Sequence, residues 1–396
     1  MNTKLKIISE FIEWMPQGQL NVAIKAKVFS IITLLLLVSC GQSETTIETV
    51  DITSEQNTNL SLEENLDNYF GQNLSQSSAG ISLIIAKGRN KVYEKSIGLA
   101  DSTNSIPVTS DTPFRLASVS KPFTAIAIAQ LVERGLLNYN DSITSVLTHL
   151  DPSWQPIKIS HLLTHQSGIP NFFTNRFMQS IGWDWLNNLD NRKVLNYFSE
   201  NPSLDFPPGT QIQYSNTNFT LLADIIEELT GVPFAYYMQE NLFNPLSLAH
   251  SYVIDKQSEP LNGQALNYGN THLMYETNLY INGSSGQVSS TNDLWLLLVS
   301  LLESTILSQE SFREMYKMHV QTGGNEGQGY GWVVGKPKSN DSTYLFHNGS
   351  NDSFKSFVAL VPSTGLMLVL LSNGGDNIEI HMQRIIEIVK HEYQLN

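Results

Sequence analysis

The sequence predicts an α+β fold in which an antiparallel sheet, flanked by helices and drawn from both chain ends, accompanies a mainly helical region. Three observations predict it. Residues 81–86 and 91–97 read as strands joined at Lys87-Gly88-Arg89-Asn90, a hairpin turn composition. Residues 354–361 and 366–371 repeat the arrangement around Pro362-Ser363-Thr364-Gly365 near the other end. Between them, from about 140 to 290, helical patterning dominates; residues 219–229 are apolar with helical period and closed by Gly231. Strands from both ends meeting in one sheet make the sheet domain discontinuous, 61–140 with 291–396, around a helical domain of 141–290.

In chain order, Lys25 and Lys27 precede an apolar run, 28–38, that is too short to span a bilayer as a mature helix. Residues 1–39 therefore read as an export signal. Leu37-Val38-Ser39-Cys40 resembles the lipobox of bacterial lipoproteins, which implies lipid on Cys40, a mature chain beginning there, and a cell-envelope location. Residues 40–60 hold four acids and no base, with few large apolar side chains, and read as a disordered tether. Ser61 with Glu64 forms a capping-box signature for a helix at 62–70, ended by Gly71. A last helix is expected at 377–392.

Composition narrows the function. The 396 residues are 41% hydrophobic and 15% charged, as in a globular chain able to bury one large or two intermingled cores. Their formal net charge is -14, about -16 without residues 1–39, and no basic run interrupts it. Nucleic acid would be repelled. A single cysteine excludes an internal disulfide framework and a multi-cysteine zinc site.

The chemistry-bearing segment is Ser118-Val119-Ser120-Lys121-Pro122, which leads into residues 123–132, apolar around most of a helix. Pro122 fits only near a helix start and Gly135 suits its end, so Ser118 is expected at the N-terminus of a buried helix. Free amides and the helix dipole there favour negative charge on a nucleophile. Lys121, three residues on, shares its face, and burial would disfavour the ammonium so that the amine can take a proton. The spacing alone is a weak signal, but of 16 lysines only Lys121 has serine three positions before it.

Ser118-Val119-Ser120-Lys121 resembles the S-x-x-K of serine β-lactamases and penicillin-binding proteins. Residues 159–170, Ile-Ser-His-Leu-Leu-Thr-His-Gln-Ser-Gly-Ile-Pro, are similar to a stretch of the class C branch, which includes D-amino-acid peptidases and esterases. The resemblance spans about 60–392 and implies a β-lactamase/transpeptidase-like fold. It also implies a Y-x-N element, matched at Tyr214-Ser215-Asn216, Tyr268-Gly269-Asn270 and Tyr280-Ile281-Asn282. The first follows the turn at 206–210, which resembles the family's lead-in, and precedes the helix from 219, so the resemblance passes the proton-carrying role to Tyr214, while Asn216 would orient Lys121 or hydrogen-bond the substrate amide. Tyrosine titrates near 10, so to act as a base it needs a cation beside it, expected to be Lys121.

The third element, K-T-G in β-lactamases, is matched only by His347-Asn348-Gly349, followed by Ser350. An imidazole near its ordinary pKa is mostly neutral at pH 7, and Asn348 lacks a hydroxyl, so a substrate carboxylate should be held less firmly than by lysine and threonine. Gly349 would let the substrate approach, and the amides of Ser118 and Ser350 would hold the oxyanion.

Three other patterns carry less. His161 and His165 have zincin spacing without the glutamate. The glycines at 323, 324, 327, 329 and 331 lack a P-loop's lysine and read as a flexible loop into Trp332. Gly-Ser-Ser-Gly at 283–286 is one residue short of a nucleophile elbow and resembles the family's loop before an S-T-x-D helix start at 290–293.

The expectation is an exported serine hydrolase that forms an acyl-enzyme on Ser118 and needs no metal or organic cofactor. Its partners would be a small ester, amide or peptide substrate and, through Cys40, the membrane. The rivals are a D-alanyl-D-alanine carboxypeptidase or β-lactamase and, from another class, a silent cell-wall ligand-binding protein.

Overall fold

The computed structural model describes residues 60–394 apart from 174–188, 257, 259, 269–278, 338–341 and 352–353. Cys40, the export signal and almost all of the tether lie outside the described residues, as does the end of the Tyr268 motif.

β1 (Ile81–Lys87) and β2 (Asn90–Ile97) form the first expected hairpin, with Gly88 at φ +56° in its two-residue turn. Near the other end β10 (Lys355–Val361) and β11 (Leu366–Ser372) form the second. The hairpins join through β1 and β11, with Ile84 opposite Val369. Beyond β10 come β9 (Tyr344–Ser350), β8 (Val333–Gly335), β7 (Glu326–Gln328) and β6 (Val320–Gly323). The order is β6-β7-β8-β9-β10-β11-β1-β2, antiparallel at every pair.

Helices cover both faces, which is why β1 and β11 are almost entirely buried rather than half polar. Alternation along β1 sends Ile81, Leu83 and Ile85 to one face. There they join Leu66 and Phe70 of α1 (Leu62–Asn73) and Ile385 of α6 (Asp376–Glu392). Ile84 and Ala86 face the other way, into the core that contains α2 (Ser120–Glu133), α4 (Asn216–Thr230) and α5 (Thr291–Leu302). Each large apolar side chain so buried contributes about 1.5–3 kcal/mol. Residues 120–131 are buried all round, as their composition predicts.

Two expectations need correction. The Ser61–Glu64 capping box opens α1, but the helix runs through Gly71 to Asn73; Asn73 Nδ2 donates to Tyr69 O at 2.9 Å, and the helix stops at Leu74. A glycine weakens a helix by only about 1 kcal/mol, less than packing of Leu66 and Phe70 returns. The glycine-rich stretch is the β6-β7 hairpin rather than a loop. A Cβ on Gly327 would stand 2.2 Å from Val320 O, so its glycine serves close strand approach.

Candidate active site

Ser118 lies in a 3-10 turn, Ala117–Val119, that runs directly into α2. The regular helix therefore starts two residues later than the nucleophile. Ala117 has φ +46°, a left-handed conformation costly for a residue with a Cβ, and the turn is held from both sides. Leu116 N donates to Gln287 O at 3.0 Å, on β5 (Gln287–Ser289), and Ser356 Oγ of β10 donates to Leu116 O at 2.7 Å. Gly349 of β9 makes the close approach possible. A Cβ there would meet Leu116 O at 2.2 Å, Ser356 Oγ at 2.3 Å and Ser118 N at 3.0 Å.

Two groups converge on Ser118 Oγ. Tyr214 Oη donates to it at 2.8 Å, and Lys121 Nζ lies at 3.2 Å. Lys121 is fully buried, and its Nζ donates to Asn216 Oδ1 at 2.8 Å and Ser284 O at 2.8 Å. Among the described residues no carboxylate pairs with it, and burial pushes its pKa well below the usual lysine range. Asn216 is the first residue of α4, and its backbone N and Nδ2 donate to Asn171 Oδ1 at 3.2 and 3.3 Å. That grip turns the Asn216 oxygen toward the lysine.

Tyr214 departs from expectation. Lys121 Nζ sits 4.8 Å from the centroid of its ring, and although 45% of Tyr214 is exposed, the packing around its hydroxyl pushes the phenol up to about 12, opposed by the hydrogen bond with Ser118. A resting phenolate is thus disfavoured. Of the other Y-x-N matches, Tyr268 donates to Ser77 O at 2.6 Å and Asn282 N to Asn191 Oδ1 at 2.8 Å, so their bonds lie elsewhere.

His347, Asn348 and Gly349 stand on β9, beyond the point where β8 pairs with it at Phe346. Period-two alternation buries His347 and Gly349 and leaves Asn348 exposed on the opposite face. Asn348, expected at the substrate, is not among the residues that bound the cleft around Ser118, although Ser350, on the same face of the strand, is. That cleft, ≈ 290 Å³, is bounded by Ser118, Tyr214, Asn216, Arg115, Gln287 and Ser350 among others. His347 is not near its ordinary pKa either. Burial first, and then the charge of Lys121, lower it to about 3, while Nδ1 bonds to Asn348 O at 2.7 Å.

The histidine pair is divided between two tasks. His161 Nδ1 accepts from Lys158 N at 3.3 Å at a helix start, α3 (Ile159–Leu163). His165, buried with φ +58°, accepts from Ser215 N at 3.3 Å and packs its ring 4.5 Å from that of Tyr214. It holds the tyrosine. Among the described residues no cluster of His, Cys, Asp and Glu is arranged for a metal. Sequence reasoning missed Asn171, the Ser284 carbonyl and this use of His165. The stretches 159–170 and 283–286 had marked their neighbourhoods, but a carbonyl oxygen leaves no trace in residue type.

The chain is 27% identical over 328 residues to penicillin-binding protein 4* of Bacillus subtilis (strain 168), covering 78% of this chain and 71% of that one. The structure of a penicillin-binding protein from Bacillus halodurans matches with a TM-score of 0.71 at 25% identity, over 82% of this chain and 98% of the other. That of the D-amino acid amidase from Ochrobactrum anthropi SV3 matches in fold, with a TM-score of 0.68 at 23% identity over 84% and 98%. Residues 62–391 match the Beta-lactamase family model, and the chain belongs to that family of serine hydrolases.

Proposed function

We propose that this chain is an exported acyl-transfer hydrolase in which Ser118 attacks the carbonyl of a small ester, amide or peptide and water later releases the acyl group. The convergence of Tyr214 Oη and Lys121 Nζ on Ser118 Oγ carries the proposal. With two of its protons on Asn216 Oδ1 and Ser284 O, a neutral Lys121 amine has its lone pair left for the proton of Ser118. Tyr214, a phenol throughout the neutral range, then passes its proton to the leaving group and regains one from the Lys121 ammonium, which holds the proton taken from Ser118, because the acylated Ser118 oxygen has none to give. The amides of Ser118 and Ser350 are assigned to the oxyanion.

The export and lipid anchor rest on residues 28–40, and a small-molecule substrate on the size of the cleft. The fold itself does not choose among substrates, since penicillin-binding proteins and a D-amino acid amidase share it. A catalytically silent binding protein would have no use for a buried amine held at hydrogen-bond distance from Ser118.

Ser118→Ala should abolish hydrolysis of p-nitrophenyl acetate, whereas Ser120→Ala should keep it. Ser120 Oγ only accepts from Gln287 N at 3.2 Å, so its loss should cost about 0.5–1.5 kcal/mol of stability. Equal activity in wild type and Ser118→Ala would remove Ser118 from the nucleophile role.

A further inference from the structure

We infer that a hollow on the α6 face of the sheet, bordered by β9, β10, β11 and α6, is a second binding site, separate from the Ser118 cleft, for a small arylalkyl carboxylate. Strand register creates the hollow. Phe346, Ala359 and Leu368 stand opposite one another on β9, β10 and β11, so a methyl group lies where both neighbours carry a large side chain. Phe357 and Val361 flank Ala359 two positions away, on the same face of β10. Tyr344, two residues before Phe346, does not fill the space. Its partner on β8 is Gly335, where a Cβ would stand 2.4 Å from Tyr344 Cζ. With glycine there, the ring lies across β8 and donates from Oη to Glu326 Oε1 of β7 at 2.8 Å. Ile386, Val389 and Lys390 of α6 supply the remaining wall.

Size and lining restrict what fits. The hollow measures ≈ 190 Å³, somewhat more than the roughly 150 Å³ that holds benzene, so it has room for one ring with a short alkyl arm. Tyr344, Phe346 and Phe357 form a shallow-angled stack, with centroids 6.1 and 5.8 Å apart and planes 27° and 26° from parallel, and present ring faces and edges to a further ring. The two charges on the walls differ. Glu326 already receives the proton of Tyr344, whereas Lys390, half-buried in the last turn of α6, has no hydrogen bond or ion pair among the described residues. A ligand with an apolar ring and a carboxylate answers both the lining and the free ammonium. It would not enter the cleft, because β9 separates the two: Phe346 faces the hollow, while His347 and Gly349 turn to the other face.

Calorimetric titration with 3-phenylpropanoate tests the site, beside 3-phenylpropanamide and 3-phenylpropylamine, which carry the same ring with no charge and with a positive one. Wild type should bind the carboxylate one to one and about tenfold more tightly than the amide, as one charge-assisted hydrogen bond allows. Lys390→Gln should bring the carboxylate to the level of the amide and leave the amide unchanged. Ala359→Phe, which fills the hollow, should remove binding of both, with retained hydrolysis of p-nitrophenyl acetate as the sign of a folded protein. Lys390→Gln leaves the packing untouched, so it decides the charge contact even if Ala359→Phe fails to fold. No saturable uptake of the carboxylate by wild type overturns the inference, as does an undiminished preference for it in Lys390→Gln. Binding that survives in a folded Ala359→Phe places the ligand elsewhere and overturns it too. A preference for the amine would make Glu326 the recognising group, and competitive inhibition of ester hydrolysis with Ki equal to Kd would put the ligand in the Ser118 cleft; either result contradicts the inference.

Discussion

Lys121 works as a base only while neutral, and its surroundings keep it so by burial alone. Because its pKa in the folded enzyme is depressed, the competent form exists above that pKa and is lost as pH falls through it. Tyr214, raised to about 12, keeps its proton far beyond neutrality. The kcat/KM profile for a neutral ester should therefore have one acid limb, below the usual lysine range, and no basic limb below about pH 10, the ordinary tyrosine value. A descending limb near neutrality would show that a protonated Lys121 is required instead. At this scale Ser118 and Lys121 were legible because chemistry restricts which residue types serve and local spacing sets them on one helix turn, whereas Tyr214 and Asn216 came from the resemblance to the Y-x-N element. Asn171 and His165 were not legible. Each acts through a partner more than 40 positions away, and asparagine and histidine have many ordinary uses.

Elements were legible where their signals are local. Turn composition at 87–90 and 362–365 marked both hairpins, and unbroken apolar character marked α2. The β6-β7 hairpin was hidden because glycines carry no period, and its pairing is decided by what Gly327 packs against. The alternation of β9 explains why His347 and Asn348, adjacent in sequence, serve opposite faces. The contact between β9 and the Ser118 turn is the most demanding of these. Gly349→Ala places a methyl within 2.3 Å of both Leu116 O and Ser356 Oγ, so the strand and the turn must separate. The expected result is a loss of about 1–3 kcal/mol in urea unfolding and at least a hundredfold fall in kcat/KM. Stability lost with activity intact would show that the oxyanion amides are not held by this contact.

For the whole molecule, the sequence showed that strands lie at both ends but not how they join. Strand order is set by long-range packing, and one residue fastens much of it. Buried Asn373, just past β11, accepts from Gly80 N at 2.7 Å and donates to Leu99 O, Ala100 O and Leu266 O. It ties the start of β1 to the end of β11 and to the connection from the helical region. Among the described residues no helix is long and apolar enough to cross a membrane, and the attachment proposed above is through lipid on Cys40. Cys40→Ser should then move the protein from the membrane to the soluble fraction; unchanged fractionation and lipid labelling would end that proposal. The central claim is covalent chemistry at Ser118, and the most direct measurement is peptide mass spectrometry of enzyme acid-quenched during turnover of p-nitrophenyl acetate. One acetyl group should appear, on Ser118, accumulating in the steady state and decaying when substrate is exhausted. Steady turnover with no acyl group on Ser118, or with the label on another residue, would contradict it.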